Sequence, residues 1–139
     1  MSYDLMVFDP SAPPGDRDGF LAWYADLARM GDGRASADPS ISTPALQAWH
    51  RDMARLFPAV SGTDAVSITS YENEHIAEYR FMPTAIFAGF QWEASRHALM
   101  RASKLARLHN IGFFDASGDN AAVWAPADKG LYKLIHRNE

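Results

Sequence analysis

The residues most capable of chemistry are spread thinly along this chain. Its five histidines are His50, His75, His97, His109 and His136, and none forms a His-Glu-x-x-His pair. Glu93 and His97 stand four apart, so one helix would put both on one face. Two ligands without a third do not hold a metal. Glu93 is read instead as a first-turn acid that suits the positive end of a helix dipole, and His109 as its counterpart near the last turn. No metal and no cofactor is expected. None of Ser61, Ser67, Ser70, Ser95, Ser103 and Ser117 sits in a Gly-x-Ser-x-Gly elbow, and Gly31 with Gly33 lacks the rest of a phosphate loop. The chain has no cysteine, which removes disulfides, thiolate catalysis and zinc thiolate sites.

Asp9 and Asp115 are the subtler candidates, because each follows an apolar run that reads as a strand. If those strands are antiparallel neighbours, the two carboxylates lie at opposite edges of the sheet, too far apart to share a proton. Both are then strand terminators that bond a turn backbone. Of the four tryptophans, Trp23 and Trp49 fall at helical spacing with other apolar residues and belong to a core. Trp92 is expected half exposed and Trp124 on the surface. No catalytic residue emerges, and the chain is read as non-enzymatic.

The elements that must position these residues follow from periodicity. Leu5 to Phe8 is a short apolar run closed by Asp9-Pro10, as in a buried strand. Asp16 can cap a helix whose apolar face is Phe20, Trp23, Tyr24 and Leu27. Gly31-Asp32-Gly33 is expected to end it, with residues 31–42 as an exposed loop. Thr43-Pro44 starts a second helix carrying Leu46, Trp49, Met53 and Leu56 or Phe57, which Pro58 stops. Val66 to Thr69 alternates and can form a short edge strand. Ala77, Tyr79 and Phe81 alternate with Glu78 and Arg80, Met82-Pro83-Thr84 turns, and Ala85 to Trp92 reads as a central strand covered on both sides. A helix over about 93–109 follows, capped by Asn110. Strands near 111–116 and 121–124 come next, and the segment from Asp128 to Arg137 is expected as one short helix.

The implied fold class is α+β: a ferredoxin-like βαββαβ sheet-and-helix sandwich, its helices on one face, with an extra helix in the N-terminal half and a short C-terminal strand. Residues 1–126 form a single domain and 127–139 a C-terminal tail or short helix. Phe20, Trp23, Leu27, Leu46, Trp49, Met53, Phe87, Phe90, Leu105 and Phe113 are expected in one core.

Charge narrows the function classes. The chain has 139 residues and a net charge of −4, which suits one domain and argues against neutralising a nucleic-acid backbone. Residues 1–65 hold nine Asp and five Arg, with no Glu or Lys, and so carry all of the net charge. An acidic half can face a basic partner or simply solubilise the surface. No secretion signal and no apolar run of about 20 residues is visible. The expected location is the cytoplasm, with neither nucleic acid nor membrane among the partners.

Tyr3-Asp4-Leu5-Met6-Val7-Phe8-Asp9-Pro10 resembles the opening of a group of small, mostly uncharacterised bacterial proteins. The blocks Thr43 to Trp49 with Phe57-Pro58, Ala85 to Trp92, and Gly112 to Asp119 resemble that group in the same order. Some of its members are associated with polymorphic or contact-delivered toxins. The resemblance implies an immunity protein that binds and neutralises a cognate toxin. Residues 59–76 depart from the group, whose loop there is more acidic. The expected docking acids on a basic toxin surface are Asp32, Asp38, Asp64 and Glu72. A small-molecule-binding or enzymatic ferredoxin-like domain, and a regulatory adaptor without a toxin, remain as alternatives.

Overall fold

The computed structural model describes residues 2–13, 16–34, 39–57, 77–117, 122–126 and 132–136. Strand β1 is Ser2–Phe8, helix α1 Arg17–Arg34, helix α2 Pro44–Leu56, β2 Ala77–Met82, β3 Ala85–Gln91, α3 Ser95–Leu108, β4 Gly112–Phe114, β5 Val123–Pro126 and β6 Tyr132–His136. Short 3-10 turns at Pro39–Ile41 and Trp92–Ala94 precede α2 and α3. The fold is α+β. Among the described residues, six strands form an open sheet in the order β2-β3-β1-β4-β5-β6, every neighbouring pair antiparallel.

Local chemistry sets the helix ends. The Asp16 carboxylate accepts from the Gly19 amide at 2.8 Å and so caps α1. Thr43 caps α2, its hydroxyl accepting from the Leu46 amide at 3.4 Å, with Pro44 at the first helical position. Asn110 takes the left-handed conformation, φ 61°. Its amide then donates to the Arg107 carbonyl and the Ile111 amide to that of Ala106, a paired closure that satisfies the last carbonyls of α3.

The helices lie on both faces of the sheet, not on one. Alternation along β1 sends Tyr3, Leu5 and Val7 to one side, where they pack with Leu46, Trp49 and Met53 of α2 and Ala98, Ala102, Leu105 and Ala106 of α3. Met6 and Phe8 go to the other side, against Phe20, Trp23, Tyr24 and Leu27 of α1. The single expected core is therefore two cores separated by the sheet. Phe20, Trp23, Leu27 and Phe87 belong to the α1 side, and Leu46, Trp49, Met53, Phe90, Leu105 and Phe113 to the α2/α3 side.

Two expected boundaries also change. Helix α1 runs through Gly31-Asp32-Gly33 to Arg34. Glycine lowers helix stability by about 1 kcal/mol relative to alanine but does not forbid the helix. The tail expected as a helix contains strand β6, which pairs antiparallel with β5. The expected strand at Val66–Thr69 lies outside the described residues.

Candidate functional site

Helix α1 leaves part of its sheet face uncovered, and that part is polar. The residues facing this side are Asp4, Met6 and Phe8 on β1, Ala85, Phe87 and Gly89 on β3, and Glu78, Arg80 and Met82 on β2. In register, Met6, Phe87 and Arg80 form one row, and Asp4, Gly89 and Glu78 form the next. Burial thus falls away toward the second row and, within the first, toward Arg80 on the edge strand. Asp4, Glu78 and Arg80 are exposed, whereas Met6 and Phe87 are buried.

Gly89 lies between the two acids and puts no side chain on the sheet floor. A Cβ built there would stand 3.0 Å from the Asp4 Oδ1, so the Asp4 carboxylate leans across the position that a side chain would fill. The result is an open groove of about 160 Å³, lined by Asp4, Tyr24, Glu78, Arg80, Phe87 and Gly89. The Arg80 guanidinium lies 5.4 Å from the centre of the Phe87 ring, a cation–π contact. Tyr24 packs edge-on against Phe114 at 4.8 Å and beside Phe87 at 5.7 Å. Burial pushes the Tyr24 phenol above its usual range; the Asp4 charge adds to that rise and Arg80 opposes it. Tyr24 therefore stays a neutral hydroxyl, able to donate.

The turn after β4 fixes the backbone under Asp4. The Asp4 amide donates to the Ser117 hydroxyl at 2.9 Å, and the Ser117 amide donates to the Asp4 carbonyl at 3.1 Å. Two carboxylates, a phenol and a guanidinium on a rigid sheet can bind and orient a cationic or mixed-charge group.

Of the expected docking acids, Asp32 lies in the final turn of α1, beyond the groove-lining Ala28. It was expected in a loop. Asp38, Asp64 and Glu72 lie outside the described residues. Sequence reasoning missed Asp4 and treated Glu78 and Arg80 as the wet side of a strand. The available signal was Gly89, a glycine inside an apolar strand, which marks a close approach or an uncovered floor.

The other candidates have structural partners. His50 is 5% exposed, with its ring edge-on to Tyr79 at 4.8 Å and Phe81 at 4.7 Å. His97 packs against Phe57 at 5.4 Å. His109 Nε2 lies 2.7 Å from Asp52 Oδ2 and ties α3 to α2, a cross-helix role that sequence did not show. Glu93 belongs to the 3-10 turn before α3 and not to the first turn of α3. Among the described residues no group of three His, Asp or Glu side chains is placed to hold a metal. Asp9 binds its own turn, accepting from the Ser11 amide at 3.0 Å. Asp115 does something else: it accepts from the Tyr3 hydroxyl at 2.5 Å. Trp124, expected on the surface, is partly buried against the α2/α3 core. Trp92 is 47% exposed, as expected.

No protein-family model, curated protein or solved structure matches the chain. Among the described residues no helix is long and apolar enough to cross a membrane.

Proposed function

We propose that this chain is a non-enzymatic binding protein of the bacterial cytoplasm that captures one protein partner with a basic surface. In its most specific form it is an immunity protein that neutralises a cognate toxin domain. The observation that carries the reading is the row Asp4, Gly89, Glu78, where two exposed carboxylates stand on either side of a glycine beside α1. A lysine or arginine of the partner fits between them, with Tyr24 and Phe87 as apolar walls. The toxin element rests on the resemblance of the opening strand, the second helix, the central strand and the late turn. We further propose that β1, α2, β2, β3, α3 and β4 form a ferredoxin-like unit, which the order β4-β1-β3-β2 supports. In that reading α1 is the added element.

Growth is the direct test. Where a neighbouring gene encodes a toxin domain, co-expression with this chain is expected to restore growth that the toxin alone stops. Charge reversal at Asp32 and Asp38 tests the acids expected from sequence. An unchanged association rate with unchanged salt dependence removes them from the docking surface. A small-molecule-binding domain is the second reading, favoured by the presence of both charge signs in the groove. It requires a zwitterion such as a free amino acid to raise the melting temperature, and Asp4→Asn to abolish that rise.

A further inference from the structure

We propose that the outer face of α3 docks the protein on an anionic lipid surface. The run from Ala94 to Phe114 contains no acidic residue but holds Arg96, Arg101, Lys104 and Arg107. At 3.6 residues per turn, Arg96, Met100, Lys104, Arg107 and Leu108 share an arc of about 120°. All five are exposed, Met100 at 64% and Leu108 at 70%. The opposite arc, Ala98, Ala102, Leu105 and Ala106, is buried on the sheet. Two large apolar side chains thus stand in solvent among three cations. At the start of the helix Trp92 is also half exposed. Alongside, α2 adds exposed Arg51 and Arg55. Among the described residues the acids of this layer are Asp52, engaged with His109, Asp115, engaged with the Tyr3 hydroxyl, and Glu93 in the turn before the helix.

Three kinds of anionic surface match that charge, and the apolar residues discriminate among them. A nucleic acid would take up the cations and leave Met100 and Leu108 unsatisfied. An acidic protein would need a shape to match isolated side chains on a convex helix. A bilayer interface needs no such shape. Its headgroups accept a diffuse set of cations, and single apolar or tryptophan side chains sink to the acyl boundary. The absence of a spanning run excludes only a transmembrane helix; a peripheral surface needs none. The exposed acids Asp16, Asp18 and Asp26 belong to the α1 layer on the other side of the sheet. An anionic membrane therefore orients the molecule with α3 down, despite the net negative charge.

Vesicles test the proposal with the whole chain. Vesicles of phosphatidylglycerol and phosphatidylcholine are expected to co-sediment the protein, and pure phosphatidylcholine vesicles are not. Lys104→Glu with Arg107→Glu, checked for an unchanged melting temperature, should weaken binding about tenfold or more. Asp18→Lys should leave it equal or stronger. The chain lacks cysteine, so Met100→Cys accepts a single environment-sensitive dye. Its emission should shift to the blue on anionic vesicles, and that of Asp18→Cys should not. Equal sedimentation with both vesicle types overturns the proposal, as does a silent dye at position 100. So does preference for duplex DNA or an acidic polypeptide over anionic vesicles.

Discussion

Trp49 shows how much one side chain can be asked to do in this protein. It is fully buried between α2 and the sheet, and its indole N–H donates to the Ala102 carbonyl of α3 at 3.1 Å. Trp49→Ala should cost ~3–5 kcal/mol, read as a lower urea midpoint. A loss below about 1 kcal/mol would mean that the site collapses or is wet. The spacing of apolar residues made Trp49 legible as core. It could not show the two contacts that involve no periodicity. Gly112 is the first: a Cβ there would stand 2.2 Å from the Phe8 ring, and Phe8 is buried. Gly112→Ala should therefore destabilise by ~1–3 kcal/mol, visible as a lower melting temperature. Tyr79 is the second. Its hydroxyl donates to the Phe57 carbonyl at 2.7 Å, and burial pushes its phenol far above the usual value near 10. A raised folded-state pKa contributes stability that is fully present below the unfolded value and fades as pH rises past it. Stability should thus fall from about pH 10 upward. Tyr79→Phe should cost ~1–2 kcal/mol at neutral pH and make the alkaline fall shallower. An alkaline fall as steep as that of the unmodified protein would locate the titration elsewhere, with the buried Tyr3 phenol as the next group to test.

At the scale of elements, start and stop signals were legible where a side chain caps a backbone and illegible where pairing decides. Thr43-Pro44 and Asn110 act as their chemistry dictates, and the Pro83-Thr84 turn joins β2 to β3. Because the Thr43 cap bond is long, Thr43→Ala should cost only ~0.5–1 kcal/mol in denaturant unfolding. A cost above about 2 kcal/mol would give Thr43 a further role. The Gly31-Asp32-Gly33 segment shows the limit of such signals, since glycine weakens a helix without ending it. The tail shows another: Leu134 and Ile135 fit a helix or a strand equally over so short a run, and pairing with β5 selects the strand. The side taken by α1 was partly legible. Leu5 to Phe8 and Ala85 to Phe90 are apolar on both alternating sets, which requires cover on two faces, and α1 supplies the second.

Across the whole molecule, the sheet sorts charge as well as cores. Most described exposed acids gather on the α1 side with Asp4 and Glu78, where Arg29 and Arg80 are the exposed cations, and most described exposed cations on the α2/α3 side with Arg96, Lys104 and Arg107, where Glu93 is the exposed acid. Sequence placed the asymmetry between the two halves of the chain. Folding turns it into an asymmetry between two faces, because the acid-free α3 and the basic outer side of α2 share one layer. Docking on the acidic side should be steered by long-range charge, which alters encounter rate and salt dependence more than lifetime. In the proposed function the Asp4–Gly89–Glu78 row is the recognition surface. Stopped-flow association with the proposed basic protein partner, comparing the wild-type chain with Asp4→Lys/Glu78→Lys across a salt series, is the deciding measurement. The expected result is an association rate about tenfold lower at low salt, with the salt dependence flattened. An unchanged rate and an unchanged salt slope would contradict it.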